Sequence, residues 1–372
     1  MILKNADVFY EKGFRKLDVA FEDGRITQIG EQLQGDDYVD LSGKMLLPGF
    51  IDLHTHGREG FDFSTAKPEE MKKMCMSYAK SGITSILATS MTMEKEFTKG
   101  IMRNIRQGIE EEYPGARILG INMEGPYLGA DRKGCHDENF LLPPNQVEFE
   151  EWDALSGNNI KMVDIDPNLP GAMDFIKKYS KTKVISLAHT SANYDTACEA
   201  VEAGVTHVTH LFNAMNGLHH REPGIVGMVS DYPVYAEMIC DGIHIHPAVI
   251  RLMFRLAGER IVVVSDSMSA AGLGEGEYEL GGLKVFVKDR KATLENGTIA
   301  GSTTNVFEEV KNLISFGIEK EKAILSATLI PAKAIHMEEE VGEIAIGKRA
   351  DFLVVSPDFN LEQVYIDGNL IK

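Results

Sequence analysis

From residue 45 to residue 264 the sequence returns eight times to one unit: a short apolar run, followed in most cases by a segment of helix length. The runs are Met45-Leu-Leu47 through Gly49-Phe-Ile-Asp52, then Ile83 to Ala88, Arg117 to Asn122, Ile160 to Ile165, Lys183 to Leu187, Thr206 to Thr209, Val234 to Ile239 and Arg260 to Val264. Largely unbroken apolar runs suit strands buried on both faces. Between them, Pro68 to Lys80, Asn193 to Ala203 and Pro247 to Leu256 have the length of helices, and the first opens on a proline, as a first helical turn allows. Parallel strands need such crossovers, so eight units over roughly 290 residues predict an α/β fold, a (β/α)8 TIM-like barrel. An open doubly wound sheet is the alternative, but no glycine-rich phosphate turn follows the first run to favour it.

Both ends of the chain differ from the middle. Asp18-Val-Ala-Phe21 and Arg25-Ile-Thr-Gln-Ile29 flank the turn Glu22-Asp-Gly24, a hairpin signature. Gly342 to Ile346, Ala350 to Val355 and Val364 to Gly368 repeat the style. Neither end has enough strands to be stable alone. The expectation is therefore one small β-sandwich domain built from residues 1–47 and 337–372, with the catalytic barrel spanning 48–336.

Charge and composition narrow the function. The 372 residues include 38 Lys and Arg against 56 Asp and Glu, a formal charge of −18, with 44% apolar and 25% charged residues. That is the composition of a globular protein with a large core, not of a disordered chain. The negative charge opposes nucleic acid and anionic membranes. No uncharged apolar stretch nears the ~18 residues of a membrane span. Met1 to Lys16 carries Asp7 and Glu11 and does not resemble a signal peptide, which predicts a cytoplasmic protein. Cys75, Cys135, Cys198 and Cys240 are too scattered for a disulfide framework or a thiolate metal site.

A barrel gathers its chemistry just past the C-terminal ends of its strands. His54-Thr-His56 ends the first run, and Glu124, His189, His210 and Asp266 follow the third, fifth, sixth and eighth. In an extended segment residues i and i+2 face one side, so His54 and His56 can face one ion. A single such histidine is more often a hydrogen-bonded structural residue. Four of them at strand ends, beside carboxylates, point instead to a divalent metal. Imidazole and carboxylate together suit Zn, Fe, Mn or Co. Glu124 precedes the turn Gly125-Pro126 and reads as a ligand. Asp266 reads first as the general base of a hydrolysis, with metal ligand and buried structural acceptor as alternatives. Three loops carry groups that suit a substrate: Lys133 to Asp137, Leu211 to Arg221 and Cys240 to His244. The glycines at 272–276 and 281–282 read as turns of an inserted hairpin, since no helix starting Lys-Ser/Thr follows them.

These residues carry a resemblance. Pro48-Gly-Phe-Ile-Asp-Leu-His-Thr-His-Gly57 is similar to the amidohydrolase superfamily. Asn122-Met-Glu-Gly-Pro-Tyr127, Lys133-Gly-Cys-His136, Thr209-His-Leu-Phe-Asn-Ala-Met215, His220-Arg-Glu-Pro-Gly224, Cys240-Asp-Gly-Ile-His244, Val264-Ser-Asp-Ser-Met268 and Ala300-Gly-Ser302 resemble, in order, its N-acetylglucosamine-6-phosphate deacetylases. The resemblance implies Glu124, His189 and His210 as ligands of one ion, and His54 and His56 as ligands of a second ion bridged by Glu124. Zinc is the first expectation. It implies Asp266 as catalytic base and then acid, and His136 at the acetyl carbonyl. Asn213, Ala214, Arg221 and His244 would surround the sugar phosphate, with His244 from the same or a neighbouring subunit of a homodimer. Cys135, Asp241, Ile299, Ala300 and Gly301 complete the expected substrate-binding set. The partner would be a small phosphorylated amino sugar. Two departures stand out: Ala188-His189-Thr190-Ser191 replaces a glycine-rich serine loop, and the fourth run carries Asp164 and Asp166 in place of the lysine of many binuclear superfamily members. Rivals are another N-acyl substrate on the same scaffold, such as N-acetylgalactosamine 6-phosphate or an N-acyl amino acid, and a non-catalytic barrel, whose mark would be missing ligands.

Overall fold

The computed structural model describes residues 1–111 and 113–372. Its centre is one all-parallel sheet whose strands neighbour each other in chain order. They are β1 (Phe50–Thr55), β2 (Ile83–Ser90), β3 (Arg117–Met123), β4 (Ile160–Ile165), β5 (Val184–Leu187), β6 (His207–Val208), β7 (Tyr235–Met238) and β8 (Ile261–Val263). A helix follows each: α1 (Pro68–Lys80), α2 (Lys95–Glu110), α3 (Gln146–Leu155), α4 (Ala172–Tyr179), α5 (Tyr194–Ala203), α6 (Gly224–Asp231), α7 (Pro247–Ala257) and α8 (Val306–Ser315), with α9 (Lys320–Leu325) and α10 (Leu329–Ala334) after the last. Side chains between sheet and helices, among them Phe50, Tyr78, Ile121, Trp152 and Phe175, are almost fully buried in one core.

The seam between β1 and β8 closes in two ways. At the C-terminal rim Thr55 bridges Ser267 in parallel, the Asp266 N–H donates to the His54 carbonyl at 2.9 Å, and the His56 N–H donates to the Ser267 carbonyl at 2.8 Å. Lower down, the turn between α9 and α10 fills the gap. There the carbonyls of Ser326 and Ala327 accept from Val263 and Ile51, each at 2.9 Å. The rim closure ties His56 and Asp266 to one backbone ladder.

The apolar run that begins at Met45 is not one barrel strand. Met45–Pro48 pairs antiparallel with Phe352–Val355 and parallel with Ile2–Tyr10, and the barrel begins only after Gly49. Both halves are wholly buried, so hydropathy does not separate them. The remaining end strands, Gly13–Glu22, Arg25–Gly30, Tyr38–Asp40, Leu361–Ile366 and Asn369–Leu370, complete an eight-stranded mixed sheet drawn from both ends of the chain. It has its own core of Leu3, Val19, Phe21, Leu46, Phe352 and Tyr365. Gly342 to Ile346, expected as a strand, is irregular, and Ile346 is 67% exposed. The segment after it caps the first hairpin instead, through Gly347 N–H to the Ile26 carbonyl and Ala350 N–H to the Gly24 carbonyl.

Between β8 and α8 the chain makes a three-stranded antiparallel insert, Gly276–Leu280, Leu283–Lys288 and Lys291–Thr293, with Gly281-Gly282 as its first turn. Leu280, Val285 and Ala300 pack with Met91 and Met268, which seats the insert over the barrel mouth. All four cysteines are free. Among the described residues no helix is long and apolar enough to cross a membrane.

Candidate active site and metal centre

The polar residues that follow the strands do meet. Glu124, the residue directly after Met123, the last paired residue of β3, is their hub and is 2% exposed. Its Oε1 lies 3.0 Å from His189 Nε2 and 3.0 Å from His210 Nε2. Its Oε2 lies 3.0 Å from His56 Nε2, 3.5 Å from His54 Nε2 and 3.5 Å from His136 Nε2. Asp266 Oδ1 stands 3.3 Å from His56 Nε2 and 3.7 Å from His54 Nε2. One carboxylate thus addresses two histidine groups with different oxygens. His189, His210 and Asp266 all have left-handed backbones, with φ of 45°, 27° and 46°. Such strain, of order 1–3 kcal/mol per residue, persists where the surrounding fold over-determines it, and it clusters at functional sites.

A second layer aims the imidazoles. Glu237 on β7 is fully buried and accepts from His54 Nδ1 at 3.1 Å, His207 Nε2 at 3.1 Å and the His210 N–H at 3.2 Å. The Arg132 carbonyl accepts from His189 Nδ1 at 2.8 Å. Donating through Nδ1 leaves each Nε2 with its lone pair turned toward Glu124, the arrangement that metal-binding histidines adopt. Asp52 braces the first strand, accepting from Ser265 Oγ at 2.5 Å. The sequence motifs do not single out Glu237 and Asp52. Their signal was present as an acid inside each apolar run, at Val234-Tyr-Ala-Glu-Met-Ile239 and Phe50-Ile-Asp-Leu53.

Electrostatics ask for a cation at this hub. Burial alone would lower the histidine pKa values, yet the adjoining carboxylates outweigh it. Glu124 and Glu237 raise His54 well above its ordinary value, and Asp266 and Glu124 raise His56 to about 10. At His189 burial prevails and the pKa falls to about 4, leaving a neutral ring. Burial pushes Glu124 and Asp266 upward, but the imidazoles bring both below the usual carboxylate range. Buried anions that draw protons onto their neighbours would accept a divalent ion in the protons' place. The side-chain groups His54–Glu124–His210, His54–His56–Asp266 and Glu124–His136–His189 each have ligand atoms within 4.8 Å of one another. His54 Nε2 and His136 Nε2 are buried without a hydrogen-bond partner. The donor set, nitrogen and oxygen without sulfur, fits a metal of the zinc or iron type.

Beside the hub is a cavity of about 540 Å³. It is lined by Cys135, His136, Asn213, Ala214, His244, Ile299 and Gly301, together with His56, Glu124, His189, His210 and Asp266. Arg132, Lys133, Leu280 and Thr298 complete much of the wall. Asp241 serves it indirectly, accepting from His244 Nδ1 at 2.8 Å, so His244 belongs to its own chain's cavity. Ala300 is fully buried in the core beneath the insert. Arg221 is not brought there: its side chain is exposed, on the stretch after β6, and donates to His220 Nε2 at 2.6 Å.

The amidohydrolase family model matches residues 45–371. An N-acetylglucosamine-6-phosphate deacetylase of Vibrio furnissii is 33% identical, over 94% of this chain and 89% of that one. An N-acetylgalactosamine-6-phosphate deacetylase of Escherichia coli O157:H7 is also 33% identical, over 88% of each chain. A crystal structure of a Mycobacterium smegmatis N-acetyl-D-glucosamine-6-phosphate deacetylase variant, in complex with N-acetyl-D-glucosamine 6-phosphate, superposes with a TM-score of 0.94 at 29% identity, covering 100% of this chain and 99% of that one.

Proposed function

The chain belongs to the amidohydrolase family, and we propose that it hydrolyses the N-acetyl group of N-acetylglucosamine 6-phosphate, giving acetate and glucosamine 6-phosphate. The observation that carries the reading is the carboxylate–imidazole hub opening on a cavity, with Asp266 lining both. Glu124 Oε1, His189 and His210 would hold one divalent ion, zinc first, with Fe, Mn or Co fitting the same donors. Glu124 Oε2, His54 and His56 would hold a second. When bound, such an ion supplies Lewis acidity and lowers the pKa of water from 15.7 toward roughly 7.

An amide is a poor electrophile, and its nitrogen is a poor leaving group until protonated. Asp266 takes the proton of the attacking water through Oδ1 and returns it to the departing amine. His136, with Nε2 buried and unpartnered, donates to the acetyl oxygen as charge develops there. Asn213, Ala214 and His244 bound the sugar and its phosphate, and Cys135, Ile299 and Gly301 line the same cavity.

We place the enzyme in the cytoplasm as a homodimer, in which Arg221, too far out to serve its own chain's cavity, is free to serve a partner's. The Escherichia coli relative favours a second reading, the galactosamine epimer on the same machinery. Acetate release from N-acetylglucosamine, N-acetylgalactosamine and their 6-phosphates separates the two, with metal content measured on the same sample. Turnover led by N-acetylglucosamine 6-phosphate is the expected result, and full activity in metal-free protein with chelator present would refute the mechanism.

A further inference from the structure

The seam that closes the barrel rim joins the His54–His56 segment to Asp266, and three buried hydroxyls stitch it. Thr55 stands between the two histidines, and Ser267 directly follows Asp266. Thr55 Oγ1 lies 2.7 Å from Ser267 Oγ and 2.5 Å from the hydroxyl of Tyr78, which α1 supplies. Ser267 Oγ donates to the Gly57 carbonyl at 3.1 Å. All three side chains are fully buried. A carbonyl only accepts, so the proton of Ser267 is committed to Gly57, that of Thr55 to Ser267, and that of Tyr78 to Thr55. The hydroxyls thus form one directed chain from α1 to the backbone just past His56. Burial pushes the Tyr78 pKa up, which keeps the phenol a donor. In a dry interior the links of such a chain strengthen one another, and a missing link strands a polar group that no water reaches.

We propose that this hydroxyl chain positions the reacting groups: Thr55, with Tyr78 behind it, sets where His56 stands relative to Asp266. The proposal rests on the deacetylase reading above for the chemistry it serves. Ser267 is where the two sides meet. Its carbonyl accepts from the N–H groups of His56 and Gly57 at 2.8 and 3.1 Å, while its hydroxyl takes the proton of Thr55. Asp266, one residue before, has a left-handed backbone that its neighbours must hold, and its Oδ1 is 3.3 Å from His56 Nε2. Because β8 itself ends at Val263, Asp266 depends for its place on this seam and on Ser302, whose N–H donates to its carbonyl at 2.7 Å. Thr55, Tyr78 and Ser267 do not line the cavity, so each is a positioning residue that acts through a neighbour.

The test compares the zinc-saturated wild-type enzyme with Thr55→Val, which keeps the shape and removes the hydroxyl, and with Thr55→Ser, which keeps the hydroxyl. At a temperature where each protein is folded, kcat for Thr55→Val should fall about 10- to 100-fold, since an ångström of misplacement costs about 10²-fold. KM should stay within about twofold of the wild type because the cavity wall is untouched, and Thr55→Ser should recover most of the loss. Tyr78→Phe leaves the rest of the chain intact and should lose several-fold in kcat, and adding it to Thr55→Val should cost nothing further. If Thr55→Val does not fold, Tyr78→Phe decides on the same split between kcat and KM. Wild-type kcat in a variant of lowered melting temperature, a loss carried by KM, or no rescue by Thr55→Ser would overturn the proposal and leave the hydroxyls as packing. If the wild type releases no acetate from any sugar, the deacetylase reading fails by itself. Calorimetric titration of the metal-free proteins with zinc alone then decides. Binding to Thr55→Val weaker by about tenfold or more, restored in Thr55→Ser, upholds the positioning role, and equal binding removes it.

Discussion

At Glu124 the division of labour is between two oxygens of one side chain. Oε1 faces His189 and His210, and Oε2 faces His54, His56 and His136. Asp266 contributes differently, since it stands at the cavity edge with 13% of its side chain exposed. Asp266→Asn should fold, retain metal and lose about 10²- to 10⁴-fold in turnover, the ordinary worth of general acid–base catalysis. Wild-type turnover in that variant would assign the base elsewhere. Glu237 bears on occupancy. It fixes His54 through Nδ1, so Glu237→Gln should weaken metal affinity by about 10- to 100-fold, read as occupancy against a competing chelator. Unchanged affinity would make Glu237 a purely structural acid. The first layer of the site was legible because each member is a polar residue at the end of an apolar run. The second layer was not, because a buried acid within a strand can brace backbone, side chain or ion, and sequence alone does not say which. Arg221 failed to appear in the cavity for a third reason: loop chemistry names a residue but not the direction its loop takes.

The element boundaries show a similar limit. Gly49 separates two buried strands of different sheets, and a Cβ there would lie 2.1 Å from Thr84 Oγ1. Gly49→Ala should therefore destabilise the protein by about 1–3 kcal/mol, the usual range for overpacking, as measured by denaturant unfolding. A variant as stable as the wild type would show that β2 can yield. On the far side of the barrel, α8 holds the loop after β7 by both backbone polar groups of one residue, Cys240. Glu309 Oε2 accepts from the Cys240 N–H at 3.0 Å, and Asn312 Nδ2 donates to the Cys240 carbonyl at 3.4 Å. Since His244 follows four residues later, Glu309→Leu should raise KM for the phosphorylated sugar several-fold more than Glu309→Gln, which keeps an acceptor. Equal KM values in the two variants would disconnect α8 from the site. The eight repeated units made the barrel legible, because burial on both faces leaves a plain hydropathy signal. The split at Gly49 and the irregular 342–346 segment escaped it, since an apolar stretch records burial and not the sheet that provides it.

Over the whole molecule, the two ends of the chain are joined to each other and to the barrel floor. Arg117 at the start of β3 pairs with Asp351 at 3.1 Å and Asp367 at 2.7 Å, and Phe352–Val355 fills the centre of the end sheet. Deleting residues 352–372 should strip Met45–Pro48 of its antiparallel neighbour and expose a wholly apolar edge, which promotes aggregation. Centrifugation of the expressed truncation would test this. A soluble, monodisperse product with a cooperative thermal transition would show that the N-terminal strands suffice. The pairing of Leu47 with Leu353 also has a meaning in time. On a ribosome adding roughly 5–20 residues per second, Leu47 is made some 15 to 60 s before its partner. Throughout that interval the nascent chain carries an unfinished sheet, so Phe352–Val355, among the last strands to emerge, is the one that ends the exposure of Met45–Pro48 to chaperones and to neighbouring nascent chains.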